Sequence, residues 1–233
     1  MGARIGEDLQ SPGAAALKAL GAELVRGDLL DKASLLKACT GVRAVFSIPP
    51  LTLETLGTDA VRVMGKNLVD AAKDAGVQHF VHTSVSGAGD FHRNAPGWKE
   101  GRWDVAYWED KAYTQELVRD AGFQYWTLLK PAFFMENFVR PSVMFAQSVG
   151  DRPATVIKPH TELALIAVKD IGEAGAAAIL EPEKFHRVEL EFAGERLTMK
   201  EIARILGEAW NVSPEARTSL PRRPSPRACR PRS

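Results

Sequence analysis

At 233 residues the chain has room for one α/β domain and at most a small second lobe. Its 30 basic and 29 acidic side chains leave a formal charge of +1, which gives no electrostatic reason to expect nucleic acid or an anionic membrane as a partner. Two cysteines, Cys39 and Cys229, cannot make a disulfide framework, and neither a secretion signal nor an apolar run of membrane-spanning length is evident, so a soluble protein in a reducing, cytoplasmic compartment is expected.

The first residues offer a scrap of strand, Ala3–Gly6, followed by acidic and turn residues. Ala14–Leu20 reads as a short helix stopped by Gly21, and Ala22–Asp28 as a strand ending in an acid. Asp31 suits the N-cap of a helix Lys32–Cys39. Ala44–Pro50 is a short apolar strand halted by its prolines. From about Thr58 to Ala75, Val61, Met64, Gly65, Leu68 and Ala72 recur at helical spacing and predict a core-facing stripe closed by Gly76.

Next come a strand His79–Val85, an aromatic-rich loop to about Asp104, a helix Trp108–Ala121 ended by Gly122, and a strand Tyr125–Lys130. Strands alternating with helices, with near-continuous Val, Leu and Phe content, predict a parallel sheet covered on both faces. Beyond Pro141 the pattern loosens. Asp170 and Glu173 suit the start of an alanine-rich helix Ile171–Leu180, His186–Phe192 alternates like a strand, and Thr198 with Glu201 forms a capping box for a helix Met199–Trp210. From Ser213 the composition turns to Pro, Arg and Ser, which cannot bury a core. Such a segment reads as a disordered tail, a reading-frame error, or a basic arm for an acidic partner.

Tyr107 and Lys111 lie four apart on a helix and therefore share a face. A lysine close to a tyrosine favours the phenolate and lowers the tyrosine pKa, which would let Tyr107 pass a proton to or from a substrate oxygen during hydride transfer. Hydroxyls at Thr83, Ser84 and Ser86 end a buried strand. They could donate to a carbonyl or a cofactor amide, or satisfy their own turn. Asp28 could accept from an adenine amino group or a ribose hydroxyl, or cap the turn before Asp31. No metal site is expected, because His79 and His82 are three apart on a strand and point to opposite faces. A hydrolase lacks support, since no G-x-S-x-G occurs, and the sequon at Asn211 stands without a secretion signal.

Taken together, GAELVRGDLLDKASL, GVRAVFSIPP, GKNLVDAAKDAGVQHFVHTSVSGA, ELVRDAG, LKPAFFMENF and VKDIGEAGAAAILEPEKF resemble the NmrA-like family of atypical short-chain dehydrogenases/reductases. The resemblance runs from about Ala3 to Trp210. It implies an α/β, Rossmann-like doubly wound parallel sheet over residues 1–140, a small α+β substrate-side lobe over 141–212, and a tail over 213–233. It implies a dinucleotide cofactor, NADP(H) ahead of NAD(H). The family includes redox-sensing regulators and reductases of quinones, dyes or phenylpropanoid-type compounds, so the expected partners are a quinone or carbonyl substrate, or another protein if the chain is a sensor. Carried onto this sequence, Asp28 and Leu29 would flank the adenine, and Ser47, Ile48 and Pro49 would line the cofactor edge. Thr83 and Ser84 would lie near the nicotinamide, Lys111 would hold the ribose, and Pro131, Ala132 and Phe133 would close the nicotinamide pocket.

The sequence departs from the family pattern in three ways. The family's opening strand and its G-x-x-G-x-x-G turn have no counterpart here, and that turn would bring backbone N–H groups onto the pyrophosphate. This implies a mis-assigned start or a fragment, with an inactive remnant as one outcome. Tyr107 is present where many members lack a tyrosine. Val85 stands where extended reductases carry a hydroxyl, leaving Ser84 or Ser86 to replace it and favouring a sensor or weak reductase over an efficient enzyme. Glu7 or Asp8 would repel a 2′-phosphate while Arg4 would attract one, leaving NAD against NADP open.

Overall fold

The structure is a computed structural model that describes residues 3–6, 10–48, 58–138, 154–155, 157–211 and 217–218. Its elements in order are β1 (Ala3–Gly6), α1 (Pro12–Ala19), β2 (Glu23–Arg26), α2 (Lys32–Cys39), β3 (Ala44–Ser47), α3 (Ala60–Asp74), β4 (His79–Thr83), α4 (Asp90–Arg93), α5 (Val105–Asp120), β5 (Tyr125–Pro131) and β6 (Phe133–Phe134). A 3-10 turn, Met135–Phe138, precedes β7 (Ala154–Thr155), β8 (Glu162–Ile166), α6 (Val168–Leu180), α7 (Pro182–Phe185), β9 (Val188–Phe192), β10 (Glu195–Thr198), α8 (Met199–Trp210) and β11 (Arg217–Thr218).

The main sheet has the order β3-β4-β5-β9, all parallel, and β1 pairs in parallel with β2 as a separate ribbon. The mixed α/β class with a parallel sheet is thus as expected. β4 is buried along its whole length, because helices cover both faces. Phe80 and Leu128 face α2, α3 and α5, where Leu35, Leu68, Val69, Ala72 and Val118 close one core. Val81 and Leu129, one residue on in each strand, face α6 and α7 through Ala178, Ala174 and Phe185. Alternation of side chains along each strand produces the two cores, and each fully buried Phe or Leu contributes roughly 1.5–3 kcal/mol.

Two glycines let helices approach closely. A Cβ on Gly65 of α3 would lie 2.5 Å from Thr114 Oγ1 of α5, and one on Gly175 of α6 would lie 2.6 Å from the Phe46 ring of β3. The alanine-rich α6 therefore packs hard against the sheet. It begins three residues before its predicted start, with the Glu136 carboxylate accepting from the Val168 N–H at 3.0 Å, a capping partner 32 positions away in sequence.

The chain divides into two compact units. One comprises Met1–Ala132 with Lys169–Phe192; the other comprises Phe133–Val168 with Ala193–Ser233. β9 thus joins the parallel sheet of the first unit although it follows residue 140 in sequence. In the second unit β10, β8 and β6 form a three-stranded sheet, and Leu165, Met199, Ile202 and Phe138 form its core. There α8 opens with the predicted capping box: the Glu201 N–H donates to Thr198 Oγ1 at 3.2 Å, and Glu201 accepts from the Thr198 N–H at 2.7 Å. Within the expected tail only Arg217–Thr218 is described, paired with β7.

Filling the α3–α5 contact with Gly65→Val should overpack the interface and cost about 1–3 kcal/mol. A wild-type urea midpoint for this variant would show that the close approach is not structurally required.

Candidate active site

Ser47, Thr83, Ser84, Tyr107 and Lys111 lie at the ends of β3 and β4 and in the first turns of α5. Asp104 sets the helix start: its side chain caps α5 by accepting from the Tyr107 N–H at 3.1 Å. Ahead of it, residues 87–103 fold around the fully buried His92. The Gly89 N–H donates to His92 Nδ1 at 2.9 Å, so Nε2 carries the proton toward Glu109 Oε1 at 3.2 Å. Trp98 and Trp108 flank that imidazole at centroid distances of 4.6 and 5.6 Å. Arg93 holds Glu109 with two hydrogen bonds, at 2.9 and 2.6 Å, and these keep the Glu109 carboxyl at about 2, below its ordinary 4.5. The aromatic loop is thus a packed brace for the start of α5.

Tyr107 and Lys111 share a helix face, with the ammonium 5.9 Å from the phenol ring centroid. The expected lowering of the tyrosine pKa is not what this geometry produces. Burial, with Asp104 adding to it, pushes the phenol up, and burial pushes the Lys111 ammonium down. Among the described residues Lys111 makes no hydrogen bond or ion pair, so its donors are available to a ligand.

Next to Lys111 is His82, which is fully buried. Its Nδ1 lies 3.2 Å from Ser47 Oγ, and its Nε2 has no partner among the described residues. Loss of solvent, and then the nearby Lys111 charge, lower its pKa from 6.5 to about 3, so the ring is neutral. Sequence reasoning dismissed His82 as a metal ligand and missed its place beside Ser47 and Lys111. The signal was present: His82 and Ser47 are register partners on adjacent strands, but strand pairing is not readable from a single sequence. Among the described residues no group of three or more His, Cys, Asp or Glu is placed to hold a metal.

The three hydroxyls have different surroundings. Thr83 Oγ1 is buried without a partner among the described residues and, by strand alternation, points to the α6 side with Val81. Ser86 donates to Glu191 Oε2 at 3.1 Å. Ser84 Oγ accepts from Gln115 Nε2 at 2.7 Å, and its N–H is fixed on the Leu129 carbonyl.

Behind these serines lies a charged network that the sequence did not reveal. Lys130, nearly buried on β5, lies 3.1 Å from Glu191 and 3.6 Å from Glu189 of β9. Arg119 of α5 makes two hydrogen bonds to Glu189, at 2.6 and 2.9 Å, and holds that carboxyl low. Burial pushes Glu191 up, but Lys130, the Gly87 N–H and Ser86 outweigh it and leave the carboxyl low.

The remaining predicted residues have other surroundings. Asp28 Oδ1 accepts from the Leu30 N–H at 2.8 Å and Asp31 N–H donates to the Asp28 carbonyl at 3.0 Å, which is the turn-capping alternative. The Leu29 carbonyl accepts from Asn67 at 3.0 Å. Ile48 is 64% exposed. Pro49, Glu7 and Asp8 lie outside the described residues. Pro131 is buried and Ala132 donates its N–H to the Phe192 carbonyl at 3.0 Å, whereas Phe133 belongs to the second unit, its ring 5.6 Å from Phe138.

Comparison with known proteins places this geometry in context. The profile of the NmrA-like family matches residues 5–215. The NmrA-like family domain-containing oxidoreductase malD of Malbranchea aurantiaca is 28% identical over 216 residues, covering 85% of this chain and 61% of its own length. The NAD(P)H azoreductase of Xenophilus azovorans is 28% identical over 194 residues, covering 83% and 60%. The chain therefore spans about three-fifths of the length of these relatives. Among solved structures, Citrobacter sp. triphenylmethane reductase complexed with NADP(H) superposes with a TM-score of 0.70 at 21% identity, over 94% of this chain and 70% of that one. NmrA, a negative transcriptional regulator, in complex with NADP gives 0.70 at 23%, over 93% and 64%. Both share the fold.

Folded His82 takes up a proton only near pH 3, whereas the unfolded residue takes one near 6.5. The unfolded state therefore binds more protons between these values, and stability falls as pH falls. Over pH 6.5 to 4.5 this residue should contribute a slope approaching 1.4 kcal/mol per pH unit. Urea midpoints of wild type and His82→Gln across that window should diverge in slope; parallel profiles would refute the assignment.

Proposed function

Because the chain belongs to the NmrA-like family, we propose that it binds a nicotinamide dinucleotide, NADP(H) ahead of NAD(H), and acts as a redox-sensing regulator or slow reductase. The observation that carries this reading is Lys111: a half-buried ammonium without a hydrogen-bond partner among the described residues, beside Tyr107 at the carboxyl ends of parallel strands. Ligands of open α/β sheets bind at those ends.

The residues present suit the nicotinamide-ribose half of such a cofactor. Lys111 has donors for ribose hydroxyls, and beside it His82 Nε2 is a buried polar atom without a partner among the described residues. Asp28 and Leu29 offer a turn at the end of β2 for the adenine side. The pyrophosphate has no G-x-x-G-x-x-G turn in the printed sequence. A bound dihydronicotinamide supplies hydride to an electrophilic carbon. Tyr107 would protonate the substrate oxygen, and Lys111 would orient the ribose. A phenol raised by burial releases its proton reluctantly, which supports sensing or slow turnover over efficient catalysis.

A second reading, reduction of a quinone or carbonyl compound, is favoured by the Ser84 hydroxyl. It accepts from Gln115 and has no recorded acceptor for its own proton among the described residues. Two of the relatives carry reductase activities in their names.

Fluorescence titration with NADPH, and with NADH alongside, tests the binding claim. Saturable NADPH binding is expected, and Lys111→Met should weaken it roughly ten- to hundredfold, the range for a charged hydrogen bond. Tyr107→Phe should leave binding intact and abolish any quinone-dependent NADPH oxidation. A folded chain that binds neither nucleotide would overturn the proposal.

A further inference from the structure

We infer that Gln115 is a positioning residue: by donating to the Ser84 hydroxyl it leaves Ser84's own proton to be given, so that Ser84 serves as a donor to a carbonyl oxygen of the ligand. This deepens the cofactor-binding reading above and rests on it.

The argument follows hydrogen-bond polarity. Arg119 Nη2 donates to Gln115 Oε1 at 3.2 Å. A guanidinium can only donate, so this contact fixes which end of the Gln115 amide is oxygen. The other end, Nε2, must then donate, and it does so to Ser84 Oγ at 2.7 Å. Arg119 cannot swing away, because Glu189 holds it by two bonds and Lys130 in turn lies against Glu189. Gln115 is completely buried and Ser84 nearly so, so water does not scramble the arrangement. Ser84 Oγ accepts from Gln115 through one of its two lone pairs, and its own proton is left to give. Ser86 cannot substitute, since its hydroxyl is engaged by Glu191. The two serines therefore divide: Ser86 ties the loop to the charged network, and Ser84 presents a donor.

Two carbonyl oxygens suit that donor, the carboxamide of the nicotinamide and the carbonyl of a substrate. The experiment separates them. In the full 233-residue chain, Ser84→Ala, Gln115→Glu, Gln115→Met and the double variant Ser84→Ala/Gln115→Glu would be compared for NADPH affinity and for NADPH oxidation by 1,4-naphthoquinone. Gln115→Glu retains shape and the Arg119 contact but reverses polarity, so Ser84 spends its proton on the new carboxylate. It should lose as much as Ser84→Ala, roughly five- to tenfold as for one neutral hydrogen bond. The double variant should lose no more than either single one. Gln115→Met, which frees Ser84 to rotate, should lose less than Gln115→Glu despite being the greater change in chemistry. A fall in NADPH affinity identifies the carboxamide; unchanged affinity with reduced kcat/KM identifies the substrate carbonyl. Either supports the inference. Gln115→Glu behaving like wild type while NADPH still binds overturns it alone, as does additivity in the double variant. A wild-type chain that binds no nucleotide overturns both this inference and the reading beneath it.

Discussion

The constraint on which this structure depends is that β4 is buried on both faces. A strand in the middle of a parallel sheet has no side open to water, so each polar group on it must find a partner within the protein or remain unsatisfied at a cost. The sequence of β4, with two histidines and a threonine among Phe and Val, strains that rule. His82 finds Ser47 for one nitrogen only, Thr83 finds nothing among the described residues, and His79 at the opposite end has no partner for either nitrogen. A strand optimised for stability alone would carry apolar residues there. His82 at its carboxyl end lies beside Lys111, whereas His79 lies near Tyr125, His186 and Arg43 at the other end. The first group suits a ligand; the second has the character of a neutral, desolvated core histidine.

The same constraint explains the charged network. β9 is an edge strand, and its Glu189 and Glu191 point toward α5, while Lys130 on the neighbouring strand is nearly buried. A buried ammonium needs close counter-charges, and the two carboxylates are placed on either side of it. Arg119 then balances Glu189 from the helix. This arrangement fixes α5 relative to the sheet at the level of Gln115, one turn beyond Lys111. Glu191 thus ties down Ser86, and Glu189 acts on the position of α5 through Arg119.

Much of this was legible in the sequence and some was not, for identifiable physical reasons. Helical periodicity located α3, the Asp31 N-cap located α2 and the Thr198–Glu201 capping box located α8 closely, because those signals are local. The candidate residues Tyr107, Lys111, Thr83 and Ser84 were found because motif spacing and strand ends are also local. The electrostatics of the tyrosine were misjudged: residue spacing puts two side chains on one face but says nothing of the burial that raises the phenol. His82, Gln115 and Lys130 were missed because their significance lies in cross-strand register and in contacts to residues 31 to 61 positions away. The strand β8 and the capping role of Glu136 escaped for the same reason.

A last consequence concerns how sensing and catalysis could share one site. Efficient hydride chemistry needs an acid whose pKa lies near the working pH, and the buried Tyr107 is moved the wrong way by its surroundings. Binding needs only donors and acceptors of correct polarity, held still, and Lys111 and the Gln115–Ser84 pair meet that requirement with few moving parts. The same burial that makes Tyr107 a reluctant acid keeps Gln115 and His82 fixed. On the proposed reading, such a site would recognise a cofactor well before it turned one over well, and small changes around Tyr107 would shift the balance toward turnover without rebuilding the part that binds.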